Sequence, residues 1–256
     1  MRQRSAGSIV DEMEACHYDL GMREIDFYDP VFTMRRDRVH AVCDELVRRG
    51  LHQRLVWSVR ARPDTVDPAM LDAMWRAGCR RVFYGLESGS EDIRRRVVKR
   101  MCSNEEITAV LAATRDRGFE VLAFVMIGNP GETPDTVRQT QELLLSGSID
   151  LIQVASLFPL PKTPIYNDLV ARSGRDAWRD LVLHGTDIQP VERLDTALDD
   201  DEIRRMVART YMRFYYRPAF VRFALGRARH PAQLRRGAEA ATGIARSWVS
   251  RMLPGA

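Results

Sequence analysis

The stretch Val121-Leu122-Ala123-Phe124-Val125-Met126-Ile127 decides the fold, and the polar loop Gly128-Asn129-Pro130-Gly131-Glu132-Thr133 follows it directly. Seven consecutive apolar residues are typical of a strand that is buried on both faces of a parallel sheet. The next segment, residues 134–145, begins with proline and has helical periodicity. A strand, a loop and a helix in this order predict an α/β fold built from right-handed parallel units.

The same alternation extends in both directions from this stretch. Four further strands are predicted at residues 24–28, 55–59, 81–85 and 151–158. Helices are predicted at residues 8–19, 37–49, 68–77, 91–99 and 104–117. Such regular alternation favours a parallel sheet or a barrel.

The pattern changes after Pro164. Residues 199–216, 218–225 and 231–252 have helical periodicity, and residues 174–193 have no clear periodicity. We therefore place a domain boundary at residue 167. Residues 1–167 form the predicted barrel-like domain, and residues 168–256 form a C-terminal helical extension.

Composition narrows the function classes. The 256 residues are 45% hydrophobic and 29% charged, with a net charge of +4, which is ordinary for a globular protein. Arginine carries almost all of the positive charge and is interleaved with Asp and Glu, which predicts solvated helix faces and no nucleic-acid partner. The chain has no apolar run long enough to span a membrane and no leader-like N-terminus, so we expect a cytoplasmic protein.

The four cysteines, Cys16, Cys43, Cys79 and Cys102, are far apart in the sequence. Metal-binding thiolates are usually separated by only two to four residues. Cys16 is predicted on a helix, and Cys79 just before a strand. We therefore expect reduced, buried thiols and assign no metal ligand to this chain.

Polar or glycine-rich loops follow all five predicted strands. They contain Asp29-Pro30, Arg60 and Arg62, Gly85-Leu86-Glu87-Ser88-Gly89, Gly128 to Thr133, and Pro159 to Pro164. Ligands of parallel α/β folds bind at the carboxyl ends of the strands. Each loop has an ordinary structural interpretation by itself, as a cap or a turn. Their equivalent positions predict a single mouth that binds a ligand.

Several short motifs, in this order, make the chain similar to a known family. They are Ile25 to Thr33, Trp57-Ser58-Val59-Arg60-Ala61-Arg62, Ala77-Gly78-Cys79, Tyr84-Gly85-Leu86-Glu87-Ser88-Gly89-Ser90, Ile127 to Thr133 and Phe158 to Tyr166. The set resembles the radical S-adenosylmethionine (radical SAM) barrel. It most resembles the branch whose members usually carry a cobalamin-binding domain upstream. The resemblance covers roughly residues 2–225.

The resemblance implies a partial (β/α)6 TIM-like barrel that lacks its first strand. It also implies a Cys-x3-Cys-x2-Cys motif, which holds a 4Fe-4S cluster, just upstream of Arg2-Gln3-Arg4-Ser5. This chain does not contain that motif. We therefore expect an N-terminally truncated fragment that is inactive alone and needs its missing N-terminal region or a partner chain.

The resemblance also assigns cofactor-binding residues. Glu87, followed by Ser88, would hydrogen-bond the ribose hydroxyls or the amino group of S-adenosylmethionine. Arg62 is a candidate for its carboxylate, and Asp29 lies where the family places contacts to the amino group, although this chain lacks Gly-Gly-Glu there. The adenine would be bordered by Gly128 and Phe158.

Three functions follow from the resemblance. The first is a fragment of an enzyme that methylates, cyclises or rearranges an unactivated carbon of a small-molecule, lipid or tetrapyrrole-like substrate, with cobalamin in the methylation case. The second is a non-catalytic barrel that binds a nucleotide-like ligand or a partner subunit. The third is a methylthiotransferase, which the helical C-terminus disfavours because those enzymes carry a small basic β-barrel there.

The segment from Arg217 to Arg251 alternates basic residues with large apolar ones. Such a segment either packs on the barrel with its arginines in water or lies on an anionic membrane surface. We favour packing, and peripheral membrane contact through these C-terminal helices is the alternative.

Overall fold

The computed structural model describes residues 4–97, 102–146, 148–186 and 195–218, together with Phe220 and Arg222. Its centre is a five-stranded sheet whose strands follow chain order. They are β1 (Glu24–Asp26), β2 (Val56–Ala61), β3 (Cys79–Glu87), β4 (Glu120–Ile127) and β5 (Leu151–Ser156). All neighbouring strands are parallel, and the sheet curls into a half-barrel. The predicted α/β partial barrel is confirmed.

Helices precede, connect and follow the strands. They are α1 (Ala6–Tyr18), α2 (Arg36–Arg48), α3 (Pro68–Arg76), α4 (Glu91–Val97), α5 (Asn104–Asp116), α6 (Pro134–Leu144), α7 (Pro164–Ser173), α8 (Ala177–His184) and α9 (Asp200–Tyr215). Short polar side chains accept a hydrogen bond from the first turn of seven of them, and these caps are Ser5, Asp67, Ser103, Thr133, Thr163, Asp176 and Asp199. Losing such a cap costs about 1 kcal/mol, so the caps set where the helices begin.

The convex face of the sheet forms the core. Trp57, Val59, Tyr84 and Val121 are at most 1% exposed, and the Tyr84 hydroxyl bonds that of Thr114 on α5. The prediction that residues 121–127 are buried on both faces is wrong. Burial alternates along β4, because its other face lines the open concave side of the half-barrel.

The two outer edges of the sheet differ. At the β5 edge, Val154 donates its N–H to the Tyr211 hydroxyl of α9 at 2.9 Å, and that hydroxyl donates to the Val154 carbonyl at 3.3 Å. At the other edge, β1 is only three residues long, and its first and last residues are exposed. A side chain from α9 therefore satisfies the backbone groups of one residue of this edge strand.

Residues 174–193 contain more structure than their pattern indicates. Asp176 caps α8 by accepting from the Arg179 N–H at 2.9 Å, and Gly185 ends the helix in the left-handed conformation. Helical periodicity is hard to detect here because α8 has only eight residues. Residues 187–194 lie outside the described residues.

The chain divides into two compact units, residues 1–214 and 215–256. Helix α7 runs through residue 167, and the predicted domain boundary there stays a prediction. The end of the helix predicted at residues 91–99 and most of the basic segment after Arg217 lie outside the described residues. No described helix combines the length and the apolar character that a membrane span requires.

Candidate functional site

The carboxyl ends of the strands surround a cavity of about 340 Å³ at the predicted mouth. Two predicted residues, Arg62 and Glu87, line it together with Gly85. The lower wall includes Phe83 and Phe124, which stack with ring centroids 5.8 Å apart and planes 13° apart. Small-molecule sites have volumes of about 300–1,000 Å³ and combine apolar walls with a few convergent polar groups. The cavity has that character.

Glu87 has an unusual backbone. Its φ is +63°, and the Ser88 N–H donates to the Leu86 carbonyl at 2.8 Å, so Glu87 is the central residue of a tight three-residue turn. The register between β3 and β4 also shifts between Gly85 and Glu87. A non-glycine residue in such a conformation costs on the order of 1–3 kcal/mol and is typical of functional sites. The turn directs the last side chain of β3 into the cavity.

The neighbours of Glu87 leave room for its carboxylate and modify its charge. A Cβ atom on Gly85 would lie 2.8 Å from Glu87 Oε1, so glycine provides the space into which the side chain folds. Burial raises the pKa of the Glu87 carboxyl above its usual value, although the Arg62 guanidinium acts in the opposite direction. Arg62 also forms two bonds with Asp64, from Nε at 3.0 Å and from Nη2 at 2.6 Å. A ligand carboxylate would have to share Arg62 with Asp64.

Asp29 lies in a neighbouring cleft rather than in the mouth cavity. This cleft has a volume of about 650 Å³ and runs between α1 and the end of β1. The Asp29 side chain is 36% exposed, and its Oδ2 lies 3.4 Å from Nη2 of Arg38. Pro30 lines both cavities, so Asp29 is close to the mouth without lining it.

Ser88 is fully buried and has partners of its own. Its hydroxyl bonds that of Thr140 on α6 at 3.1 Å, and the Gly89 N–H donates to the same Thr140 oxygen at 2.8 Å. A Cβ atom on Gly89 would clash with the Thr140 Cα, so only glycine allows this approach. Ser88 and Gly89 thus hold the Glu87 turn against α6. Cofactor binding by Ser88 stays a prediction.

The loop after β4 is organised by Glu132, which the sequence pattern did not mark as a site residue. Its buried carboxylate accepts bonds from the N–H groups of Gly128 and Asn129. Gly128 has a φ of +97°, which a residue with a side chain rarely adopts. The amide of Gly128 is therefore occupied within the loop. Glu132 was hard to identify from the sequence because its partners are backbone N–H groups of a non-helical loop. Contacts of a side chain with loop backbone leave no pattern of residue types in the sequence.

Phe158 lies under α8, the helix that the sequence pattern did not predict. Its ring packs edge-on against Trp178 at a centroid distance of 5.7 Å. Trp178 also donates from Nε1 to the Pro159 carbonyl at 3.0 Å. Ser88, Gly128 and Phe158 line neither of the two cavities described above. The structure thus brings Arg62 and Glu87 together and places the other four predicted residues around them.

Charged residues occupy the concave face below the mouth. Arg60 was predicted in a loop, but it lies on β2, where it bonds Asp26 and the Phe27 carbonyl. Its guanidinium lies 3.8 Å from the centroid of the Tyr28 ring. Arg81 on β3 forms ion pairs with Glu24 on β1 and with Glu120 on β4. The alternation of polar residues along β2 and β3 is the sequence signal that could have identified this face.

The four cysteines do not come together as a set of cluster ligands among the described residues. Cys43 and Cys79 are buried, and burial raises the pKa of the Cys43 thiol to about 12. A thiol with a raised pKa is a poor thiolate ligand. Among the described residues, no group of three or more Cys, His, Asp or Glu side chains could hold a metal ion. We derive no metal chemistry from these cysteines.

The chain is similar to proteins of one known superfamily. Residues 1–144, more than half of the chain, match the model of the radical SAM superfamily. An uncharacterized methyltransferase from Pyrococcus horikoshii is 28% identical over 219 residues, which are 85% of this chain and 46% of the relative. The anaerobic magnesium-protoporphyrin IX monomethyl ester cyclase from Rubrivivax gelatinosus is 23% identical over 87% of this chain and 39% of the relative. The chain spans less than half the length of both relatives.

A solved structure shares the fold. The radical S-adenosylmethionine methyltransferase TsrM from Kitasatospora setae, determined with cobalamin and a [4Fe-4S] cluster bound, matches with a TM-score of 0.61 and 24% identity. The match covers 66% of this chain and 32% of TsrM. Because the family model covers more than half of the residues, the chain belongs to the radical SAM superfamily.

Proposed function

We propose that this chain forms the S-adenosylmethionine-binding half-barrel of a radical SAM methyltransferase, with Glu87 as the ribose ligand. The main support is the strained turn, which holds the Glu87 carboxylate at the wall of the mouth cavity. A ribose presents two neighbouring hydroxyl donors, and a carboxylate can accept from both. Methylation is favoured because relatives from Pyrococcus horikoshii and Kitasatospora setae are named methyltransferases.

The cavity residues have distinct roles in this proposal. Glu87 accepts hydrogen bonds from the ligand, while Gly85 leaves space for its carboxylate. Arg62 offers positive charge to the carboxylate end of the ligand, in competition with Asp64. Phe83 and Phe124 form an apolar floor that excludes water from the reacting end. When bound, S-adenosylmethionine supplies the methyl group or the radical that the reaction needs.

The proposal takes the cluster ligands from outside these 256 residues. The described cysteines are buried or isolated, so we propose that a further segment of the protein or a partner chain provides three close thiolates. Use of cobalamin is proposed from the comparison with TsrM, which was solved with cobalamin bound. A tetrapyrrole-like substrate is proposed from the relative in Rubrivivax gelatinosus, a magnesium-protoporphyrin cyclase.

Ligand binding tests the proposal without requiring activity. Isothermal titration calorimetry would measure the Kd of S-adenosylmethionine for the wild-type chain, Glu87→Gln and the control Glu142→Gln. Glu142 is 63% exposed on α6, so its substitution should leave the Kd unchanged. Losing one hydrogen bond to a charged group is worth about 1.5–3 kcal/mol, so Glu87→Gln should weaken binding by about tenfold or more. Equal affinity of wild type and Glu87→Gln would contradict the role of Glu87.

Iron content tests whether the cluster ligands come from outside this chain. After anaerobic reconstitution with iron and sulfide, we expect no stoichiometric iron on the chain alone. About four irons per chain would contradict the external ligands, since a [4Fe-4S] cluster would then use these cysteines.

The buried cysteines also favour the second candidate, a non-catalytic barrel that binds a nucleotide-like ligand. Such a module would bind adenosine as tightly as S-adenosylmethionine. The methyltransferase proposal instead expects tighter binding of S-adenosylmethionine, because the methionine end also contacts the mouth. Titration of both ligands into the wild-type chain distinguishes the two candidates.

A further inference from the structure

The strained turn at Glu87 needs support from its surroundings, because an unfavourable backbone conformation persists only where other contacts hold it. One support is the contact of Ser88 and Gly89 with Thr140. The other lies on the opposite side of the turn and comes from α4. It begins with Arg94, the fourth residue of that helix.

Arg94 is 2% exposed, and its guanidinium joins α4 to the Glu87 turn and to the segment at residues 102–104. Nη1 donates to the Ser88 carbonyl at 2.9 Å and to Asn104 Oδ1 at 2.7 Å, and Nη2 donates to the Cys102 carbonyl at 3.1 Å. Asn104 also contacts the turn directly, because its Nδ2 donates to the Gly89 carbonyl at 3.0 Å. Arg94 and Asn104 therefore hold the two carbonyl groups that directly follow Glu87.

The surroundings of Arg94 are unusual for a buried cation. Its acceptors are neutral carbonyl oxygens, and the nearest carboxylate, that of Glu91, lies 3.9 Å away. Burying a charge without a close counter-ion is costly, and an apolar side chain would fill the same space at lower cost. A guanidinium can, however, donate to several carbonyl groups in one plane, which an apolar side chain cannot do.

We propose that Arg94 is a positioning residue, which with Asn104 holds the Glu87 turn in the geometry that binds the ribose of S-adenosylmethionine. The inference rests on the proposed function of Glu87. Arg94 itself does not touch the ligand, so its whole effect on affinity passes through Glu87. The contribution of Arg94 should disappear when the Glu87 carboxylate is removed.

A double-mutant cycle tests this dependence. Calorimetric titration with S-adenosylmethionine would compare Arg94→Met in the wild-type and in the Glu87→Gln background. We expect Arg94→Met to weaken binding by about tenfold in the first background, a loss typical of one charge-assisted hydrogen bond, and by less than about twofold in the second. Arg95→Met is the matched control, since the side chain of Arg95 is 65% exposed on the same helix. It should leave the Kd unchanged in both backgrounds.

The outcomes separate the inference from the proposed function. An equal loss in both backgrounds, or no loss in either, would overturn the role of Arg94 while leaving that of Glu87 intact. No binding to the wild-type chain would overturn the proposed function and this inference with it. If Arg94→Met does not fold, Arg94→Lys, which keeps the charge and can retain one bond, provides the same cycle with a smaller loss in the first background only.

Discussion

Two carboxylates near the mouth, Glu87 and Asp29, have contrasting surroundings. Glu87 ends the central strand in a strained turn, between the buried residues Leu86 and Ser88. Asp29 follows the short edge strand, is 36% exposed, and has the 79% exposed Tyr28 beside it. The same sequence signal, an acidic residue directly after a strand, thus corresponds to two different physical situations.

The difference shows which of the two neighbouring regions is preorganised. The Glu87 turn is fixed by buried hydrogen bonds on both sides, so its geometry exists before a ligand arrives. The Asp29 side chain has one long ion pair, to Arg38, and lines an open cleft. A partly exposed ion pair contributes little to stability, so this side chain can change position at low free-energy cost. We therefore expect the Glu87 turn to determine the affinity for a ligand. The Asp29 side chain should adjust its position when a ligand or another part of the protein covers the cleft.

The largest effect is expected from Gly89→Ala. The new Cβ would clash with the Thr140 Cα and lie 2.5 Å from the Gln139 carbonyl oxygen, and these backbone atoms of α6 cannot move aside cheaply. Over-packing of this kind costs about 1–3 kcal/mol, and we expect the upper end of that range. Urea denaturation of both proteins would measure the difference.

The control for this change is Gly7→Ala in α1. Nothing lies within 4 Å of the corresponding Cβ position, and alanine is favoured over glycine in helices by about 0.5–1 kcal/mol. Gly7→Ala should therefore be neutral or stabilising. A tolerated Gly89→Ala substitution would show that the β3 turn is not held against α6 as the structure has it.

The next effect concerns stability and pH. Burial raises the pKa of Glu87, so ionisation of this side chain opposes folding, and the stability present at acidic pH is lost as pH rises through the raised pKa. Glu87→Gln removes the charge and should raise the free energy of unfolding at pH 7 by about 0.5–2 kcal/mol, the range of single stabilising substitutions. The gain should shrink as the pH falls toward the ordinary pKa of a glutamate, about 4.3. Thermal unfolding over a pH series from that value up to neutral pH would measure it.

Replacing the carboxylate of Asp29 by an amide should have a smaller effect on stability than the same change at Glu87. Asp29→Asn alters a side chain in a solvent-accessible cleft, and substitutions of that kind usually change stability by less than about 0.5 kcal/mol. A gain at pH 7 for Asp29→Asn equal to that of Glu87→Gln would contradict the contrast between the two sites.

The fold was largely predictable because hydrophobic periodicity is a local property of the sequence. The five strands lie where alternating or apolar runs predicted them, with ends that differ by a few residues. Helix α8 was missed because it has only eight residues, which is too short a segment for helical periodicity to stand out. The two-sided burial predicted for β4 was wrong because its concave face is open.

The site was predictable only in part, because its geometry depends on distant partners. Glu87 and Arg62 were identified from their positions after strands, and they do line one cavity. Arg94 could not be distinguished from Arg95 and Arg96 in the sequence, since only its burial sets it apart. The contact of Ser88 with Thr140 joins residues 52 positions apart, which no local pattern reports.

A small loss of stability is expected at Tyr28, which follows the edge strand β1. Tyr28→Ala removes a ring that lies 3.8 Å from the Arg60 guanidinium, but Arg60 keeps its bonds to Asp26 and to the Phe27 carbonyl. An exposed cation–π contact is worth about 0.5–1 kcal/mol, so the loss of stability should not exceed that value. Tyr18→Ala, which removes another exposed tyrosine, is the control for general surface effects. A loss at Tyr28 as large as that of Gly89→Ala, measured by urea denaturation, would mean that the edge of the half-barrel is as firmly held as its centre, and the contrast between the two carboxylates would then fail.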